Sequence, residues 1–354
     1  MPNGIIPIAF PNFKKIENNT AVIAADVGGT KTHLALYKMK DNQLSLVREA
    51  KYASQQYPSF GTIVSDFQKG DNSVDRLSIG FAGPVLKNSA KATNLSWMIH
   101  TQHLSDELNI EQVYILNDLE ASAYGLAALS NNDLITIHEG NSERKGNAAI
   151  IAPGTGLGEA GLFWDGKKFH PFATEGGHTD FGTRKEIDVA LFKFLRKKYG
   201  HVSWERVASG MGILEIYNFL LQYRKVTELP WMKEKIAEGN AAAAVSYGAR
   251  NGCKISEETF SLFWRYLAEE SANLALTLKA TGGLFIAGGI APKNLDVFNQ
   301  QIFLEYFCEA GRLRPMLQEV PVHIILNEKT PLLGAALYGF YGPVKKRKKL
   351  KSIG

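Results

Sequence analysis

Residues 23–36 read IAADVGGTKTHLAL, and residues 148–164 read AAIIAPGTGLGEAGLFW. Each stretch is an apolar strand, a glycine-rich turn and a second strand. Pro153 in the second copy stands where Asp26 stands in the first, more than a hundred residues earlier. That separation is far beyond the period of a solenoid. It points instead to two similar domains, each opening with a glycine hairpin. A third glycine turn, GGLFIAGGIAPKN from Gly282, follows a helical stretch at about 257–280 and reads as strand, Gly-Gly, helix.

The segments between these turns fit an α/β chain. DRLSIGFAG and QVYILND are short buried strands, and DLEASAYGLAAL has helical spacing with Leu119, Ala123, Leu126 and Ala127 on one side. RKEIDVALFKFLRKKYG and ETFSLFWRYLAEESANLALTLKA are helical, and TPLLGAALYGFYG is a short helix begun by Thr330 and Pro331. The expected architecture is two α/β lobes with a cleft between them. A small domain spans 20–128, with 329–343 returning to it, and a large domain spans 129–328. Residues 1–19, interrupted by Pro2, Pro7 and Pro11, form an N-terminal extension, and 344–354 form a basic tail.

Composition narrows the class. The 354 residues are 45% hydrophobic and 21% charged, enough to bury a sizeable core. The formal net charge is +5, but Lys345, Lys346, Arg347, Lys348, Lys349 and Lys351 carry six positive charges. The rest of the chain is therefore close to neutral, and neither nucleic acid nor a membrane is an expected partner. Cys253 and Cys308 stand far apart with no C-x-x-C, which excludes a disulfide scaffold and a cysteine zinc site and suits the cytoplasm. IIPIAFP near the start makes a poor signal peptide, and no apolar run reaches membrane-spanning length.

Glycine at one turn ordinarily means only that the backbone needs its freedom. Three such turns after apolar strands are more informative, because they let successive N–H groups approach an anion. Thr30 and Thr155 add hydroxyl donors. There is no G-x-x-x-x-G-K-[ST], and GTGLG at 154–158 leads into a strand rather than a helix, so neither a P-loop nor a dinucleotide fingerprint is present.

ILND at 115–118 places Asn117 and Asp118 at the exit of a buried strand, where open α/β sheets hold ligand groups. Asp118 reads either as a helix cap or as a general base for an attacking hydroxyl, and Asn117 as a polyol contact. EGGHTDFG at 175–182 is a shaped loop, not a helix. Its Glu175 and His178 suit sugar hydroxyls and lack the further ligands a zinc site needs, and a plain structural loop is the other reading. TNLSW carries Asn94 and reads also as an ordinary turn. SWERVASG carries Glu205 and reads also as a surface helix in which Glu205 pairs with Arg206 or with nothing.

In this order, DVGGTKTHLAL, TNLSW, ILNDLEA, PGTGLG, EGGHTDF, SWERVASG and FIAGGIAP resemble bacterial glucokinases of the hexokinase-like, actin-type ATPase superfamily. The match runs from about Ala21 to about Tyr341. The resemblance implies a two-domain actin-like ATPase (ribonuclease H-like) fold with an interdomain cleft. It also implies phosphorylation of glucose by ATP with Mg²⁺, the first step of glycolysis. Asp26, Val27, Gly28, Gly29 and Thr30, followed by Lys31, resemble the first phosphate loop, with Asp26 near the magnesium of Mg-ATP. Gly154, Thr155 and Gly156 resemble the second phosphate loop, and Gly288 and Gly289 the stretch against adenosine. Asn94, Asn117, Asp118, Glu175, His178 and Glu205 match sugar-contacting positions, with Asp118 as the base.

Ala25 and Lys31 depart from the glycine and asparagine common in relatives. The cysteine-rich zinc motif of the kinase and repressor branch is absent. The family is often dimeric, which makes a homodimer an expectation. Rival readings are a kinase of mannose, fructose or N-acetylglucosamine, a non-catalytic sugar-binding regulator, and an actin-like filament or chaperone ATPase. About 20 residues precede the first strand, too few for the helix-turn-helix of a regulator, and a filament ATPase would not explain the Asn-Asp and Glu-x-x-His groups.

Overall fold

The computed structural model of the protein describes residues 4–12, 16, 20–40, 43–70, 73–91, 95, 97–141, 143 and 145–344. The chain divides into two compact units, Met1–Ser130 with Lys329–Gly354, and Asn131–Glu328.

The first unit is built on a five-stranded sheet. β1 (Ala21–Val27), β2 (Lys31–Lys40) and β3 (Gln43–Ala53) form an antiparallel meander. β4 (Arg76–Phe81) lies parallel to β1. After a small sheet of β5 (Val85–Leu86), β6 (Ser89–Lys91) and β7 (Met98–His100), β8 (Gln112–Asn117) lies parallel to β4. The sheet order is β3-β2-β1-β4-β8.

The period of two along β1 sorts its side chains. Ala21, Ile23, Ala25 and Val27 join the cluster formed with Phe60, Ile63, Val64 and Phe67 of α1 (Phe60–Gln68) and Leu104 of α2 (Thr101–Leu108). The other face is covered by α3 (Asp118–Gly125) and by the last helix, α12 (Thr330–Tyr341). Glycines make that packing close. A Cβ on Gly334 would lie 1.7 Å from the Ala121 carbonyl oxygen, one on Gly125 2.1 Å from that of Thr330, and one on Gly339 2.5 Å from Val22. As a result α3 is buried nearly all round, beyond the single apolar side that its spacing predicts. Residues 4–12 dock on this same unit. The Ile5 N–H donates to the Leu129 carbonyl at 3.1 Å and that of Asn12 to Tyr341 at 2.9 Å. Phe10 packs against the rings of Tyr124 and Tyr341.

The second unit repeats the plan. β10 (Ala148–Pro153), β11 (Leu157–Trp164) and β12 (Phe169–Ala173) form the meander, and β13 (Gly283–Ile286) and β14 (Val322–Ile325) continue it in parallel. An extra antiparallel strand, β9 (Leu134–His138), closes the edge in the order β12-β11-β10-β13-β14-β9. The helical layer runs from α4 (Glu186–Tyr199) through α5 (Gly210–Tyr223), α6 (Pro230–Ala237) and α7 (Ala241–Arg250) to α8 (Lys254–Leu278). Three short helices follow, α9 (Ile290–Lys293), α10 (Gln300–Phe307) and α11 (Arg314–Gln318). Among these, α8 is the spine, with Phe260, Phe263, Trp264, Tyr266 and Leu267 all buried in one core. On α8 the buried Arg265 bonds to Asp188 and lies 3.7 Å from Glu269. Cys253 and Cys308 are buried thiols without a disulfide. Among the described residues no helix is long and apolar enough to cross a membrane. The basic tail from Lys345 lies outside the described residues.

Candidate active site

In the first unit the turn 28–30 joins β1 to β2, and the Gly28 N–H donates to the Lys31 carbonyl at 3.0 Å. Ser54 Oγ ties the turn down by donating to the Gly28 carbonyl at 2.9 Å. Thr30 and Lys31 are exposed, and Gly29 is partly so. Asp26 lies on the face of β1 that meets α3 and α12. Its carboxyl keeps only a partial opening to solvent, and burial pushes its pKa up to about 6. A cation nearby would relieve that burial cost. One carboxylate suits a Mg²⁺ that arrives on nucleotide phosphates and keeps several waters. Among the described residues no group of three or more His, Cys, Asp and Glu is placed to hold a metal on its own.

Asp26 and Asp118 are linked through Gly80. Gly80 pairs with Asp26 across β1 and β4, and a Cβ there would lie 3.1 Å from that of Ala121 and 3.9 Å from the Asp118 Cα. The absent side chain lets the start of α3 settle against the sheet beside Asp26.

At that helix start the capping work falls to Asn117. Its Oδ1 accepts from the N–H groups of Leu119 at 2.9 Å and Glu120 at 3.3 Å, and its amide donates to the Gly83 carbonyl at 3.2 Å. Asn117 is buried, with one amide hydrogen left for another partner. Asp118 sits one residue further on, half-buried. Its Oδ1 accepts from its neighbour Leu119 at 3.0 Å. Asn94 lies outside the described residues.

In the second unit the Gly-rich turn 154–156 is closed by Gly154 N–H donating to Gly156 at 2.8 Å, with Thr155 exposed at its tip. The Gly210 N–H at the head of α5 donates to the Gly154 carbonyl at 2.8 Å. Gly288 reaches φ +76° and packs on this turn, where a Cβ would lie 2.4 Å from the Pro153 carbonyl oxygen. Gly289 follows at the start of α9.

Glu205 does not belong to a surface helix paired with Arg206. It lies on the 3-10 turn Trp204–Arg206, and the Arg206 guanidinium stacks on Tyr199 instead, 4.1 Å from the ring centre. Glu205 Oε2 accepts from the Leu157 N–H at 3.1 Å. Glu175 precedes the 3-10 turn Gly176–His178, and both Glu175 and His178 are exposed. The Trp204 N–H donates to the Thr179 carbonyl at 3.0 Å, and that of Phe181 to Val202 at 2.9 Å, so the two loops are clipped together. Glu175, His178, Glu205 and the turn 154–156 are thereby gathered at one end of this unit's sheet.

Two β-meander sheets extended by parallel strands, each opening on a glycine turn and one carrying an Asn-Asp pair at a strand exit, define a sugar kinase of the two-domain actin-like fold. The solved structures agree. The chain superposes on a glucokinase from an Antarctic psychrotroph with a TM-score of 0.76 at 28% identity, over 89% of this chain and 97% of that one. It shares its fold with a ROK family glucokinase from Streptomyces griseus, solved in complex with glucose and AMPPNP (TM-score 0.61, 21% identity, 90% and 99% coverage). The sequence model of the glucokinase family matches residues 23–340. The chain is also 40% identical over 338 residues to the glucokinase of Nostoc punctiforme, covering 90% of this chain and 98% of that protein. The chain belongs to the glucokinase family.

Proposed function

We infer that the chain carries out the family's reaction, ATP-dependent phosphorylation of glucose to glucose 6-phosphate, with Asp118 as the general base. The main support is the division of labour at the head of α3. Asn117 caps the helix through its side chain, and Asp118, one residue on and half-buried, stands at the strand exit where a substrate hydroxyl would be met. Phosphoryl transfer asks the protein mainly to position and to stabilise charge. The turns 28–30 and 154–156 offer backbone N–H groups to the phosphates, and Asp26 would hold the magnesium that the nucleotide carries, which would offset phosphate charge. Gly288 and Gly289, beside the second turn, give the adenosine a flat backbone surface. Asn94, Asn117, Glu175, His178 and Glu205 hold the sugar hydroxyls. Asp118 takes the proton of the attacking 6-hydroxyl as the new P–O bond forms and ADP leaves. The two units are the two domains of the kinase, and the protein works in the cytoplasm.

The test is ADP formation with Mg-ATP and, separately, glucose, mannose, fructose and N-acetylglucosamine, with Asp118→Asn run alongside. Turnover confined to glucose and dependent on Asp118 is the expected result. Preference for another hexose would change the substrate assignment. Sugar binding without turnover would replace the kinase reading with a sensor.

A further inference from the structure

A pair of acids lies beneath the loop that carries Glu175 and His178. Glu159, on β11, is 2% exposed, and Glu270, on α8, is 3% exposed. Glu159 braces the loop in two ways. Its Oε2 fills the space beside Gly176, where a Cβ would lie only 1.9 Å from it. Its main-chain carbonyl accepts from Thr174 Oγ1 at 3.0 Å, and the same hydroxyl accepts from the Gly176 N–H at 3.3 Å.

No protein N–H or O–H reaches Glu159 Oε1 among the described residues. The Glu159 carboxyl has Glu270 within hydrogen-bonding reach, and Glu270 also accepts from Asn273 Nδ2 at 2.9 Å. Two carboxyls bond to each other only when one carries a proton. The surrounding charges do not neutralise the pair. On α8, Arg265 is engaged by Asp188 of α4 and by Glu269. Arg184, ahead of α4, is exposed and bonds to the Glu309 carbonyl and the Asn273 side chain.

We propose that Glu159 and Glu270 share one proton, and that this shared proton holds the loop 175–178 in the conformation that binds sugar. The proposal rests on the assignment of Glu175 and His178 to the sugar. Glu159 and Glu270 are positioning residues that act through Gly176. Burial is the first cause that lifts both carboxyls well above the ordinary carboxylate range, and for Glu270 the charge of Glu159 is the second. The proton is therefore retained around neutral pH and lost as the solution becomes alkaline. Two buried negative charges then repel, and the brace on Gly176 moves.

The experiment measures KM for glucose and for ATP from mildly acid to alkaline pH in the wild type, E270Q, E159Q, E159A and E175A. In the wild type, glucose KM is expected to rise by about tenfold per pH unit beyond the loss of the proton, while ATP KM stays level. E270Q and E159Q carry amide hydrogens that no longer titrate, so the alkaline rise should disappear in both. E159A should raise glucose KM at every pH, with E159Q restoring it. An alkaline rise unchanged in both glutamine variants, or glucose and ATP KM moving together, would overturn the proposal. An unchanged glucose KM in E175A would instead remove the sugar assignment itself. A raised glucose KM in E175A beside glutamine variants that follow the wild-type profile would sink only the shared proton.

Discussion

Glu205 accepts the Leu157 N–H at 3.1 Å, and this bond ties Glu205 to the strand that leaves the second glycine turn. Its Oε2 sits so close over Gly156 that a Cβ there would lie 2.2 Å away. The glycine turn 154–156 and Glu205 therefore cannot move independently.

Gly156→Ala should displace the Glu205 carboxylate and break its bond to Leu157. A hydrogen bond to a charged group is worth about 1.5–3 kcal/mol, so kcat/KM for glucose should fall by at least about tenfold. ATP affinity should weaken in the same variant. Steady-state kinetics in both substrates check this, and a loss confined to one substrate would contradict the coupling.

Asp118→Asn preserves the shape of the helix start, because Asn117 provides the cap. Turnover should drop by ~10²–10⁴-fold, the usual range for a general base, while glucose binding stays within a few-fold. Calorimetric glucose titration beside an ADP assay separates the two effects.

Glu120→Gln should stabilise the protein above neutral pH. Burial lifts the Glu120 pKa to about 7 and outweighs the opposing backbone hydrogen bond at Asn117. A carboxyl raised from about 4.5 contributes stability that is fully present below that value and lost as pH rises through about 7. The amide never pays this charge penalty. The variant should therefore gain on the order of 2 kcal/mol at mildly alkaline pH and little in acid. Thermal melts across that range give the answer.

Gly334→Ala tests the helix pair on the back of the first sheet. The new methyl would meet the Ala121 carbonyl at 1.7 Å, a backbone atom that cannot swing aside. Overpacking of this kind costs about 1–3 kcal/mol or more, so the melting temperature should fall by several degrees. A variant as stable as the wild type would mean that the helices are free to separate.

Much of this was legible in the residues. The two glycine hairpins announced the repeated sheets, because apolar alternation and turn glycines are local signals. TPLLGAALYGFYG marked its own helix start with Pro331. The extra edge strand Leu134–His138 was not legible, since nothing in LITIH fixes its partner in advance; that partner, β14, lies nearly two hundred residues away. The cap at Asn117 was equally hidden. Asn and Asp are both good caps, and only the backbone geometry shows which one takes the helix N–H groups. Glu159 gave no signal at all, because a single acid in an apolar strand becomes informative only once Gly176 and Glu270 are seen against it.

The return of α12 to the first unit bears on the order in which the chain can fold. Residues 131–328 form their unit from one continuous stretch, whereas the sheet that opens at Ala21 receives the second helix of its α3–α12 face only from Thr330 onward. During synthesis the N-terminal strands emerge first but must wait, with the face of Val22, Ala24 and Ser78 uncovered, until nearly the entire protein has left the ribosome. The second unit, although made later, has all its parts sooner. A ribosome-bound chain halted before residue 330 should accordingly present a protease-resistant second unit and a cleavable first one.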